Sequence, residues 1–118
     1  MDNETAILEL AALAQSTRLD VFRLLIANEP EGLAAGELAR ALAVPHNTMS
    51  SHLSILSRAG LIVGERRSRI INYRAELPRL QELMLFLVKD CCGGKPELCE
   101  GLVARLASCR PEEVETHG

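Results

Sequence analysis

The chain has no tryptophan, one tyrosine and two phenylalanines among 118 residues. A core of aromatic plates is therefore excluded, and Leu and Ala must fill it, a composition that favours helices. No apolar run approaches the ~20 residues that span a bilayer, so no membrane partner is expected. The N-terminal Met1-Asp2-Asn3-Glu4 lacks the basic segment of a secretory signal, which points to a cytoplasmic protein. Thiols stay reduced there, so the four cysteines point to ligand binding or redox chemistry rather than structural disulfides. No histidine or acidic cluster flanks those cysteines, so a thiol enzyme is not expected.

What is present is a charge imbalance hidden by the average. The net charge is −3, which alone argues against a nucleic-acid partner. Between His46 and Arg74, however, five arginines face one acid, a local +4, while the rest of the chain sums to −7. A local stripe, not the average, is what phosphate binding needs.

The hydrophobic pattern predicts a mainly α fold with a small β-hairpin. Helices are expected over 4–14, with Ile7, Leu8, Ala11 and Ala14 on one face, and over 18–28, capped by Ser16 or Thr17, with Leu19, Phe22 and Ile26 inward. A short helix over 35–42 ends at Val44-Pro45. Another runs over 46–58, opened by Pro45 and stopped by Gly60. Strands over 61–65 and 69–74 flank a turn at Arg66-Arg67-Ser68. A strongly amphipathic helix over 77–90 and a last helix over 98–108 complete the folded part, 1–110. The tail 111–118 is acidic and expected to be flexible.

Two short helices with a tight break and then a basic hairpin form a winged helix-turn-helix pattern. In the helix over 46–58, Met49, Leu53 and Leu56 would anchor one face, while His46, Asn47, Thr48, Ser50, Ser51 and Ser54 would be offered to DNA. Arg66, Arg67 and Arg69 of the hairpin would hold phosphates beside it. The competing reading is an ordinary solvated face, against which the flanking arginines weigh. For His52 a structural or phosphate hydrogen bond is expected over a metal role, and His117 lies in the tail. The stripe Leu80, Leu83, Met84 and Leu87 is too apolar for an exposed helix. It is expected at a dimer interface, with Ile7 of the first helix.

Four stretches together resemble the ArsR/SmtB family of metal-responsive winged-helix repressors: Leu13-Ala14-Gln15-Ser16-Thr17-Arg18-Leu19, Met49-Ser50-Ser51-His52-Leu53-Ser54-Ile55-Leu56, Ala59-Gly60-Leu61-Ile62, and the wing from Arg66 to Arg74. The resemblance implies a homodimer, paired through its first and last long helices, that occupies a double-stranded operator until an inducer binds.

Two inducer sites familiar in that family are absent here. The segment Glu37-Leu38-Ala39-Arg40-Ala41-Leu42 holds no thiol, and Leu77 to Asp90 holds no histidine. Instead Cys91 and Cys92 are adjacent, and Cys99 returns after the loop Gly93-Gly94-Lys95-Pro96-Glu97-Leu98. This resembles the C-terminal site of the arsenite-responsive subset. Trivalent arsenic, and antimony with it, takes three thiolates in a pyramid, and soft thiolates select such centres. As(III) is thus the expected inducer, with Sb(III) beside it, and the short loop favours closure within one subunit. Cadmium, lead, and a reversible thiol redox switch remain open on the residues. Cys109 is expected to be an ordinary cysteine rather than a fourth ligand.

Overall fold

A computed structural model describes residues 1–88 and Gly101. The chain divides into two compact units, Met1–Met84 and Leu85–Gly118. The helix expected over 98–108, the boundary expected after residue 110 and all four cysteines lie outside the described residues, Gly101 excepted. None of the described helices is long and apolar enough to cross a membrane.

Among residues 1–88, five helices and three strands follow in the order α1 (Asn3–Leu13), α2 (Ser16–Ala27), β1 (Leu33–Ala34), α3 (Ala35–Leu42), α4 (His46–Arg58), β2 (Ile62–Arg67), β3 (Ile70–Ala75) and α5 (Leu77–Val88). The caps are side chains that reach back to orphan amides. Asp2 accepts from the Thr5 amide and opens α1. Gln15, not Ser16 or Thr17, opens α2 by accepting from the Arg18 amide at 2.8 Å. Glu37 reaches back 2.8 Å to the Ala34 amide at the start of α3.

The core lies where α2, α3 and α4 cross. Val21, Phe22, Leu25, Leu38, Met49, Leu53, Leu56 and Leu61 are buried in one apolar cluster. Met49, Leu53 and Leu56 recur at helical spacing, and the anchoring stripe of α4 is as expected. Leu19 is not inward but 43 % exposed. The buried stripe of α2 runs through Val21, Phe22 and Leu25, and Leu19 falls on the helix margin.

The small sheet is antiparallel in the order β1-β3-β2. The expected hairpin forms, but its turn is shifted. Arg67 pairs with Ile70, so Arg66 and Arg67 lie in β2 and the connection is Ser68-Arg69 alone. Ser68 takes φ +61, the conformation a two-residue hairpin turn demands and one that usually calls for Gly or Asn. β1 was not expected. It pairs Leu33 with Tyr73 and Ala34 with Asn72, which covers one edge of the hairpin.

The root of the hairpin is tied to the loop after α2. Arg74 pairs with Glu29 at 2.8 Å, and Asn72 Nδ2 donates to the Glu31 carbonyl at 2.6 Å. Gly32, at φ +75, lies under β3 so closely that a Cβ there would run into the Tyr73 carbonyl and the Asn72 side chain.

Candidate nucleic-acid interface

α3 and α4 form a tight helical pair. Ala43 takes a left-handed φ of +54 and ends α3, and the Val44 amide bonds back to the Ala39 carbonyl at 3.0 Å. Pro45 then opens α4 with no side-chain cap. The Thr48 amide is taken by Asn47 Oδ1, which leaves the His46 and Asn47 amides to solvent or to an anion, and a helix N-terminus favours an anion.

The first turns of α4 are polar and outward. His46, Asn47, Thr48, Ser50 and Ser51 are exposed, and Ser54 is half-buried. Some of this polarity is already engaged. Asn47 Oδ1 accepts from the Thr48 amide, Ser51 Oγ bonds the Asn47 carbonyl at 3.4 Å, and Ser54 Oγ accepts from Arg58 at 3.0 Å. Ser50 and Asn47 themselves remain exposed.

A groove of about 820 Å³ opens between the hairpin and the N-terminal ends of α3 and α4. Arg40, His46, Ser50, Arg67, Arg69 and Tyr73 are among its walls. The structure thus brings His46, Ser50, Arg67 and Arg69 to one concave surface. Asn47, Thr48, Ser51, Ser54 and Arg66 lie on the same two elements outside that lining. Arg40 was missed by the sequence reading, because the charge count began at His46, six residues too late.

The five arginines of the stripe are not equivalent. Arg74 is held by Glu29 at 2.8 Å and by Glu65 at 3.7 Å. The hydrogen bond from Arg74 draws the Glu29 carboxyl below its ordinary range, and the same bond raises the Arg74 guanidinium. Arg74 thus holds the hairpin root and is spent as a phosphate anchor. Arg67 has a looser contact, 3.7 Å to Glu65. Arg66 and Arg69 make no ion pair among the described residues.

His52 has a structural partner. Arg18 donates from Nε to the Ala12 carbonyl at 2.7 Å and lies 3.3 Å from His52 Nδ1 through Nη1. Burial lowers the His52 pKa, and the neighbouring Arg18 charge lowers it further. A neutral ring can accept from the guanidinium, so one arginine ties the end of α1 and the start of α2 to the middle of α4.

The residues expected at a dimer interface are divided. Ile7 is 59 % exposed, with Leu8 at 54 % beside it, and Leu87 is also exposed. Leu80 and Met84 are half-buried, Leu80 against the apolar cluster. Leu83 is buried, at 2 % exposure. Among the described residues, no three His, Cys, Asp or Glu side chains converge to hold a metal ion. Cys91, Cys92, Cys99 and Cys109 lie outside them.

A helix pair with an open N-terminus, followed by an antiparallel hairpin with basic residues, has a known form. The fold is a winged helix-turn-helix. Residues 13–65 match the family model described as a helix-turn-helix domain. The ArsR-like transcriptional regulator from Rhodococcus sp. RHA1 has a similar structure, with a TM-score of 0.64 and 25 % identity over 92 % of this chain and 95 % of that one. HlyU from Vibrio cholerae N16961 is similar at 0.61 and 26 %, over 78 % and 99 % of the two chains. A possible transcriptional regulator for arsenical resistance is similar at 0.60 and 26 %, over 82 % and 94 %. No curated protein matches the chain significantly. In the terms of this fold α4 is the recognition helix, β2 and β3 are the wing, and the groove lies between them.

Proposed function

We propose that the chain is a cytoplasmic, homodimeric transcriptional repressor that leaves its operator when As(III), or Sb(III), is captured by Cys91, Cys92 and Cys99. The DNA half of this reading is carried by one observation: the exposed N-terminus of α4 and the wing residues Arg67 and Arg69 border the same groove. The helix would enter the major groove, and the arginines and open amides would take the flanking phosphates. Ile7 and Leu8, apolar and outward on α1, supply a surface that a second copy can cover. A dimer places two recognition helices at a fixed spacing, which calls for a roughly palindromic operator.

The inducer half rests on the thiols. Three soft sulfurs within nine residues match a pyramidal arsenic centre better than the four-ligand shell of structural zinc. The described part of the chain offers no competing cluster. A similar structure is that of a possible regulator for arsenical resistance, which agrees in direction. The inducer must bind the DNA-incompetent state more tightly, and useful release needs a coupling of roughly 3 kcal/mol.

Operator footprinting with and without arsenite tests both halves. Cys91→Ser, Cys92→Ser and Cys99→Ser should each keep operator protection and lose its release by arsenite, while Cys109→Ser should behave as wild type. X-ray absorption of the loaded protein should show three sulfurs. Release by an oxidant without arsenic would favour the redox alternative, and tighter response to cadmium or lead the other soft-metal one. Full inducibility of Cys99→Ser would refute the three-thiol site.

A further inference from the structure

Three helices meet at one guanidinium. Arg79, in the first turn of α5, donates from Nε to Glu9 Oε2 of α1 at 2.5 Å. Glu9 is the buried charged residue of the described chain, with no exposed surface at all. Its second oxygen, Oε1, is buried without a hydrogen-bond partner among the described residues. The same guanidinium lies over Gly60: a Cβ built there would stand 2.7 Å from Nη2, 2.8 Å from Cζ and 3.2 Å from Nη1.

Gly60 belongs to the C-terminal stop of the recognition helix. It takes φ +81 just after the cap Ala59, its amide bonds the Ser57 carbonyl, and the Leu61 amide bonds the Leu56 carbonyl. A glycine is needed there twice, for the left-handed turn and for the bare face on which the guanidinium rests. The Glu76 amide, at the head of α5, bonds the Leu61 carbonyl at 2.8 Å, so backbone and side chain both fasten α5 to the end of α4.

Burying a carboxylate is a poor way to gain stability, since apolar residues of similar volume often do as well. Its value can lie in fixing a position instead. The guanidinium is planar and presents its donors in a rigid fork, so a shift at its Glu9 side is felt at its Gly60 side.

We propose that Arg79 is a positioning residue for the recognition helix: its contacts with Glu9 and Gly60 set the seat of the C-terminal end of α4 according to where the head of α5 lies. The inference rests on the DNA-binding reading and supplies a route by which a change in α5 reaches the DNA-reading face. It requires no contact between Arg79 and DNA.

The test uses the full chain with Arg79→Gln, Arg79→Lys and the double variant Glu9→Gln/Arg79→Gln. The double variant leaves no buried charge and keeps the question answerable where Arg79→Gln alone fails to fold. Amide exchange at Gly60 and Leu61 should accelerate by about tenfold relative to the core amides of α2. Affinity for the operator should fall by about tenfold, the usual size of such coupling. Affinity for random duplex DNA and its salt slope should stay at wild-type values, because no phosphate contact is lost. Arg79→Lys should resemble Arg79→Gln, since an ammonium lacks the planar fork. A salt slope reduced by about one would make Arg79 a phosphate contact and overturn the proposal. So would unchanged exchange at Gly60 and Leu61 in the folded double variant. That measurement needs no DNA. A wild type that prefers no duplex would therefore sink the operator reading separately.

Discussion

The recognition helix and α1 bury opposite kinds of residue. In α4, Met49, Leu53 and Leu56 face the core and the serines and asparagine face out. In α1 the order is inverted: Glu9 is wholly buried between Ala6 and Ala12 on the helix face, while Ile7 and Leu8 are more than half exposed. The small alanines let α1 lie close to its own chain, and the large side chains are held in reserve. An exposed polar face explains itself in water. An exposed apolar face next to a buried charge does not, and it calls for a covering partner. In the proposed function the two helices divide the work, one facing DNA and one facing a second copy.

The largest way to break this contrast is to make α1 resemble α4. Ile7→Glu with Leu8→Glu should leave protomer stability within about 0.5 kcal/mol, because surface substitutions away from special features rarely cost more. It should shift sedimentation at micromolar concentration from dimer to monomer. Operator affinity should fall by about 100-fold or more, since two linked half-sites gain that much over one. A double variant that still sediments as a dimer would move the interface elsewhere.

A smaller effect sharpens the other side. Arg69→Ala should weaken operator and random duplexes alike by about tenfold and reduce the salt slope by about one. Ser50→Ala should instead cost about 1 kcal/mol on the operator alone, as loss of a base contact does. Equal losses on both DNAs for Ser50→Ala would remove the groove side of α4 from base reading.

The smallest effect concerns His52. The fold favours its neutral ring, so below the ordinary value of 6.5 the unfolded chain takes up protons more readily than the folded one. Stability from this group is complete above 6.5 and declines as pH falls from there towards the lowered folded value. Urea midpoints at about pH 5.5 and about pH 7.5 should differ less in His52→Gln than in wild type. An identical difference in the two proteins would remove His52 from the acid response.

The sequence made α4 legible because its signals agree: Pro45 at the start, Gly60 after the end, and apolar residues at helical spacing between. The groove was half legible, since residues of one helix and one hairpin are local in sequence. What was hidden is non-local or too short for a period. β1 has two residues, and only its partner β3, some forty residues on, makes it a strand. The hairpin turn was misplaced because Ser68 adopts a backbone that Gly or Asn normally announces. Arg74 counted as a cation until Glu29, forty-five positions away, was seen to hold it. Leu19 shows the same limit: a stripe names a face, but its neighbours decide what covers that face.

The fastening of the wing root has a consequence for selectivity. Glu29 and Glu31, with Gly32 pressed beneath β3, hold the base of the hairpin before any DNA arrives. A reader built in advance gives up little freedom on binding, so less of the contact energy is consumed by ordering. The same stiffness withholds accommodation. A duplex whose groove is too wide or narrow for the fixed distance between α4 and the wing must itself deform, and the cost depends on its sequence. On the proposed DNA-binding function, base steps that no side chain touches would therefore be sorted by how readily they bend.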